Sequence, residues 1–212
     1  TAISFAIAGI VSMFFTEKSV KKDITPEISF NVKQLFKEAQ SPKIVLGLLV
    51  LSSIFSLVYE GLEDFQAVAY GYTAVPLSIL MALIFVTGAI GSYLTPKIRE
   101  KFDDFKVIPI IILIYGSIWL IGPFLSMYVG GIFILIRSNL TGLYTNIQSI
   151  VLNRQLPSSK RATLLSVFSM LSTIPYVLLA YFIGSFIQKY SALWVGFILG
   201  IVCLLSLIFL SY

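Results

Sequence analysis

Apolar residues in this chain cluster into long runs, and short polar stretches separate them. Residues 44–59, 75–94, 107–121, 125–150, 162–187 and 193–210 form six such runs. A helix needs roughly 20 residues to cross the hydrocarbon layer of a bilayer. The pattern predicts six membrane-spanning helices. The run at 44–59 has few breakers before Gly71 and is expected to extend towards it. Pro76 and Pro109 fall in predicted first turns, where the missing N–H is tolerated. Pro96 with the charged stretch KIREKFDDFK is expected to close the second span, and Gly122-Pro123 marks a reversal.

Two further stretches precede the six. Residues 1–15 are apolar but short, and read as the end of another spanning helix. Residues 16–43 are the one long polar stretch, a linker expected on the cytoplasmic side. Within it Ile28, Val32, Leu35, Phe36 and Ala39 recur at helical spacing, with Lys33, Gln34, Lys37 and Glu38 on the other face. That spacing predicts a short amphipathic helix, lying on the membrane or against helix ends, with Ser29 or Asn31 as its cap. Residues 44–212 then make a six-helix domain. The fold class is all-α, a polytopic membrane protein.

Composition agrees with the pattern. Of the 212 residues 12% are charged and 58% belong to the hydrophobic set. A soluble domain carries about 25% charged residues, so this chain cannot clothe a water-facing surface. Its formal charge of +5 does not point to nucleic acid, because the basic residues alternate between connections. Lys18, Lys21, Lys22, Lys33, Lys37 and Lys43 lie in the first connection. Lys97, Arg99, Lys101 and Lys106 lie in the third, and Arg154, Lys160 and Arg161 in the fifth. The even connections hold only Lys189, and Arg137 lies within a span. Positive charge marks the cytoplasmic side, so the odd connections are placed there. With no histidine and one cysteine, a Ser-His triad, a haem-histidine site and a cysteine-rich metal site are excluded, and no cofactor is expected.

Polar side chains are unevenly shared among the spans. The runs 107–121 and 193–210 have few and are expected to be lipid-facing supports. The other four carry Ser52, Ser53 and Ser56; Ser78, Thr87 and Ser92; Ser138, Asn139, Tyr144 and Asn146; and Ser169, Ser172, Thr173 and Tyr176. An aqueous path between those four helices accounts for the distribution. Arg137 is the sharpest feature, since a mid-helix charge faces a cavity or a partner. It reads as a counter-charge for an anionic solute group or for a carboxylate such as Glu60, or else as a structural pair or a cytoplasmic-side anchor. Glu60 and Asp64 share a helix face at i,i+4 spacing. In a low-dielectric cavity they would bind and release protons; at a solvated loop end they would not. Tyr59 and Tyr176 join them as candidate pathway residues.

Two segments carry a family resemblance. The sequence GSYLTPKIREKF, 91–102, looks like a degenerate copy of a Gly-x-x-x-Asp-Arg-x-Gly-Arg-Arg loop, with Gly91, Lys97 and Arg99 matching in character. The sequence LNRQLPSSKRATLLSVFSM, 152–170, is similar to a loop and helix start in which Pro-x-x-x-Arg-Ala-x-x-x-Ser recurs. With the long basic linker and six following helices, the chain resembles the C-terminal half of a bacterial major facilitator superfamily transporter. The resemblance implies a twelve-helix carrier in which an N-terminal six-helix half of the same polypeptide completes the cavity. It also implies that the first, second, fourth and fifth helices of each half line that cavity, and that Gly91, Lys97, Arg99 and Arg161 form a cytoplasmic gate.

The expected function is secondary active transport of a small amphipathic solute across the bacterial cytoplasmic membrane. Coupling to protons and export are expected, with Tyr59, Glu60, Asp64, Arg137, Asn139, Tyr144, Ser169 and Tyr176 along the pathway. A proton-coupled sugar or metabolite importer is the alternative within the same fold. An ion channel or a non-transporting membrane scaffold is the alternative outside it.

Overall fold

A computed structural model describes residues 32–210, apart from the side chains of 58–61 and 208–210. The expected partial helix at 1–15 and most of the linker lie outside the described residues. Among the described residues seven α-helices follow one another: α1 (Val32–Glu38), α2 (Pro42–Ala69), α3 (Ala74–Arg99), α4 (Asp104–Ile121), α5 (Met127–Gln155), α6 (Arg161–Tyr190) and α7 (Ala192–Leu210). A single 3₁₀ turn, Gly122–Phe124, joins α4 to α5 at the predicted reversal. The described residues contain no strand. The chain is an all-α polytopic membrane protein.

Among the described residues, four helices are long and apolar enough to cross a membrane by length and composition alone: α2, α3, α4 with its 3₁₀ extension, and α6. Helix α5 has 29 residues, ample for a crossing, but its central polar run lowers its hydropathy. Helix α7 is apolar throughout and shorter. Two polar groups of α5 find their partners on α3. Ser138 donates to the Ile84 carbonyl at 2.6 Å, and Asn139 to that of Thr87 at 3.1 Å. Both acceptors belong to α3, so these two side chains hold the neighbouring helix.

Two boundaries differ from the sequence expectation. Helix α3 runs through Pro96 to Arg99 instead of stopping at the proline. Pro96 has no N–H to give the Ser92 carbonyl one turn back. That carbonyl accepts instead from the Asn146 side chain on α5, at 3.2 Å, so the helix can continue. Helix α4 starts at Asp104, where Asp103 caps it by accepting from the Phe105 N–H at 2.9 Å. Pro109 therefore sits in the second turn and not the first.

Helices α3 and α5 approach closely, and glycines permit it. A methyl group at Gly91 would strike the Asn139 carbonyl, and one at Gly142 would strike the Gly88 carbonyl. Helix α7 packs on α4 in the same manner. A methyl at Gly196 would enter the Trp119 ring, and Gly200 lies against the Gly116 carbonyl. Close backbone approach is how small residues favour helix association where lipid removes the usual hydrophobic drive.

The main core joins α2, α4, α5, α6 and α7 through residues such as Leu51, Phe55, Ile111, Ile112, Ile147 and Phe168. The expected supports α4 and α7 are thus two-faced. Ile108, Ile112 and Trp119 of α4 are buried, while Ile110, Leu113 and Ile114 face outward. The barest helices are α3 and α6, each only 17% buried over its apolar window. Helix α1 docks at one end of the bundle. Its Leu35 is fully buried, the Gln40 N–H donates to the Gln155 carbonyl at 2.9 Å, and Glu38 meets Lys160 at 2.8 Å.

Candidate functional site: a four-helix cavity

A cavity of about 560 Å³ opens between α2, α3, α5 and α6. These are the four spans that the sequence marks as polar, and α4 and α7 contribute nothing to its lining. Ser52, Phe55 and Ser56 face it from α2; Phe85, Gly88 and Ser92 from α3. Helix α5 supplies Ser138, Thr141, Tyr144, Thr145 and Gln148, and α6 supplies Phe168, Ser169, Ser172 and Thr173. The small residues at Gly88, Ala89 and Gly142 leave the space that larger side chains would fill.

Hydroxyls dominate the polar lining, and half of them already donate to their own helix. Ser52 donates to the Leu48 carbonyl at 2.6 Å, Thr141 to that of Arg137 at 3.0 Å, and Thr173 to that of Ser169 at 3.0 Å. A hydroxyl that has given its proton still offers lone pairs, so these groups present acceptors to the cavity. The Ser56 and Ser169 hydroxyls and the Gln148 amide have no protein partner among the described residues. They are the groups left to donate to a solute. The back wall is aromatic: Tyr144 stacks on Phe55 at 4.0 Å, and Phe55 meets Tyr115 at 4.5 Å. The Tyr144 hydroxyl lies 3.4 Å from that of Ser52.

Of the sequence-predicted pathway residues, Tyr144 and Ser169 line this cavity. Tyr176 is half-buried farther along α6 and does not reach it. Asn139 turns to the α3 backbone. Asp64 is exposed. The side chains of Tyr59 and Glu60 lie outside the described residues. Arg137 is 1% exposed and points away from the cavity, towards α2 and α4. Its guanidinium lies 3.7 Å from the Trp119 ring centre, donates to the Gln66 side-chain carbonyl, and meets the Glu63 carboxylate at 3.4 Å.

The sequence marks Glu63 with Glu60 and Asp64 as acids near an outward helix end, but the expected pathway set leaves out Glu63, Gln66 and Trp119. A signal for Glu63 and Gln66 exists in the spacing. Ser52, Ser56, Glu63 and Gln66 recur at steps of four, seven and three, one stripe along α2. Asp64 falls beside that stripe.

Of the predicted gate residues, Lys97, Arg99 and Arg161 lie at the helix ends nearest α1, whereas Gly91 lies two turns deeper in α3, and their roles differ. Gly91 is the contact point with α5. Arg99 grips Asp104, the first residue of α4, through two hydrogen bonds, one at 2.8 Å. Arg154 approaches the same carboxylate at 3.5 Å. The carboxylate thus comes from the next helix and not from within the 91–102 loop. Lys97 is exposed and lies over the Tyr93 ring at 5.4 Å. Arg161 donates to the Leu156 carbonyl at 3.4 Å, while its Nε has no partner. Lys160 beside it holds the Glu38 carboxyl below its ordinary value, by hydrogen bond first and by charge second.

No curated protein and no solved structure matches this chain. The family model described as Major Facilitator Superfamily matches residues 1–178. A hydroxyl-lined cavity between four helices of a lipid-embedded bundle is what a carrier of solutes requires, and with that match the chain belongs to the major facilitator superfamily of membrane transporters.

Proposed function

We propose that this chain carries a small amphipathic solute across the membrane by alternating access, as a proton-coupled exporter. The single observation that supports the reading best is the cavity itself. Its hydroxyls, its amide at Gln148 and its stacked aromatic wall suit a ligand with one apolar face and a few hydrogen-bonding groups. Helices α3 and α6 border the cavity and carry exposed apolar residues, including Phe85, Ile90, Val177 and Leu178. A second six-helix half of the same polypeptide is proposed to cover that side and complete the solute site. The Arg99–Asp104–Arg154 cluster and Lys97 are proposed as part of the cytoplasmic latch, Gly91 as its close-packing point and Arg161 as its neighbour on α6. Coupling requires only that solute and proton prefer the two access states unequally.

Reconstitution of the full-length polypeptide in proteoliposomes tests this. Solutes are screened for movement driven by an imposed pH gradient, and Gln148→Leu and Ser169→Ala are compared with the wild type. Proton-driven efflux that both substitutions weaken is the expected result. Accumulation in the opposite direction would make the protein an importer, and currents far above carrier turnover would make it a channel.

A further inference from the structure

We propose that Glu63 and Arg137 form a proton-binding site, separate from the solute cavity, whose protonation weakens the tie between α2 and α5. The inference rests on the proton-coupled reading above and adds to it the group that takes the proton.

The two partners are not equally sealed. The Arg137 side chain is 1% exposed, whereas that of Glu63 keeps 9%. The acid is therefore the member of the pair nearer the surface of the bundle, and the guanidinium lies behind it. The contact between them is single and long, 3.4 Å from Nη2 to Oε1. The better-made contacts of Arg137 go to uncharged groups, the Gln66 carbonyl and the Trp119 face. Its Nε and the indole Nε1 of Trp119 are buried without partners. An ion pair with poor geometry and orphaned donors recovers little of what desolvation costs.

The step is simple to balance. Hydronium gives its proton to a Glu63 carboxylate oxygen, an O–H bond forms, and water leaves. Arg137 keeps its charge but loses its counter-charge, and a buried cation without one is strongly disfavoured. Relief comes from moving α5 relative to α2. That movement reaches the cavity directly, because Ser138, next to Arg137, is hydrogen-bonded to the Ile84 carbonyl of α3 and lines the cavity.

Among the described side chains, the surroundings leave few rivals for the proton. Helix α2 contributes Asp64, which is exposed, and Gln66. Helix α5 contributes Arg137, and α4 contributes Tyr115 and Trp119, both buried. Tyr70, after α2, donates its hydroxyl to the Gly122 carbonyl at 2.7 Å. Tyr72, before α3, donates to that of Met127 at 3.1 Å. Lys189 of α6 lies over the Tyr190 ring. Among its described side chains, α7 offers no ionisable group besides Cys203.

Trp119 is a built-in reporter because it stacks on Arg137. The full-length transporter, labelled with 5-fluorotryptophan and reconstituted, is titrated with acid by ¹⁹F NMR, with Trp119→Phe assigning the resonance. The Trp119 signal is expected to shift with pH in the wild type and in Asp64→Asn, and to stop shifting in Glu63→Gln. Proton-driven transport should be lost in Glu63→Gln while downhill solute exchange continues. A wild-type signal that does not titrate, or one that titrates unchanged in Glu63→Gln, overturns the proposal. So does loss of coupling in Glu60→Gln with coupling intact in Glu63→Gln. If Glu63→Gln fails to assemble, Glu63→Asp must move the Trp119 midpoint, and an unmoved midpoint is equally fatal. A titrating site in a protein that ignores pH gradients supports the proton site and sinks the coupled-transport reading.

Discussion

The Asn146 side-chain amide donates to the Ser92 carbonyl at 3.2 Å, replacing the helical donor that Pro96 cannot supply. An asparagine on α5 thereby completes the backbone of α3 across the helix interface. The same amide lies 3.5 Å from the Thr95 hydroxyl, so it serves two acceptors on one turn. In lipid, where water is scarce, a bare carbonyl is costly, and this exchange explains how a proline sits inside a helix that does not end there.

Asn146→Ala should destabilise the protein by about 1–3 kcal/mol, the cost of a buried acceptor left without a donor. Pro96→Ala restores the missing N–H. Combined with Asn146→Ala it should recover most of the lost stability. Thermal unfolding in detergent of the two single variants and the double variant checks this. Strictly additive losses would show that the two sites are not linked.

Glycine substitutions should separate packing positions from free ones. Gly142→Ala drives a methyl into the Gly88 carbonyl and should cost about 1–3 kcal/mol. Gly184 on α6 has open space where a methyl would go. Gly184→Ala should therefore be neutral or stabilising by up to about 1 kcal/mol, the usual helix preference for alanine. Equal behaviour of the two variants in thermal unfolding would contradict the close α3–α5 contact.

The docking of α1 should depend on pH through Glu38. Its carboxyl in the folded protein titrates below the ordinary value of 4.5, because Lys160 favours the charged form. The contribution is therefore present above that ordinary value and is lost as pH falls through the lowered one. Hydrogen exchange of α1 amides should quicken on acidification across that window. Lys160→Met should remove this part of the pH response.

Gln148→Leu should weaken solute use without unfolding the protein, since the amide has no protein partner to abandon. Loss of one hydrogen bond to solute corresponds to about 1 kcal/mol, or roughly fivefold in kcat/KM. Transport kinetics set against thermal unfolding of the same variant make the comparison. An unchanged kcat/KM for every transported solute would remove Gln148 from the pathway.

Membrane residence, the helical class and the approximate span positions follow from the sequence alone. An apolar run of bilayer length has one good solution, a helix whose backbone satisfies itself, and neighbours cannot overrule that. The same holds for the separation of polar spans from apolar ones, because a hydroxyl in lipid must find a partner or a cavity. Which partner it finds is another matter. Asn139, Asn146, Tyr144 and Ser169 are alike to a sequence reader, yet the first two hold α3 and the last two face the cavity. Arg137 was legible as a charge needing company, but Glu63, Gln66 and Trp119 were chosen by the rotation of α2 and α4 against α5. Close packing at Gly91 and Gly142 between α3 and α5, and at Gly196 and Gly200 between α7 and α4, likewise joins residues far apart along the chain, which no local spacing records. Tertiary structure alone decided these pairings, because a side chain's role in a bundle depends on the face its neighbour presents.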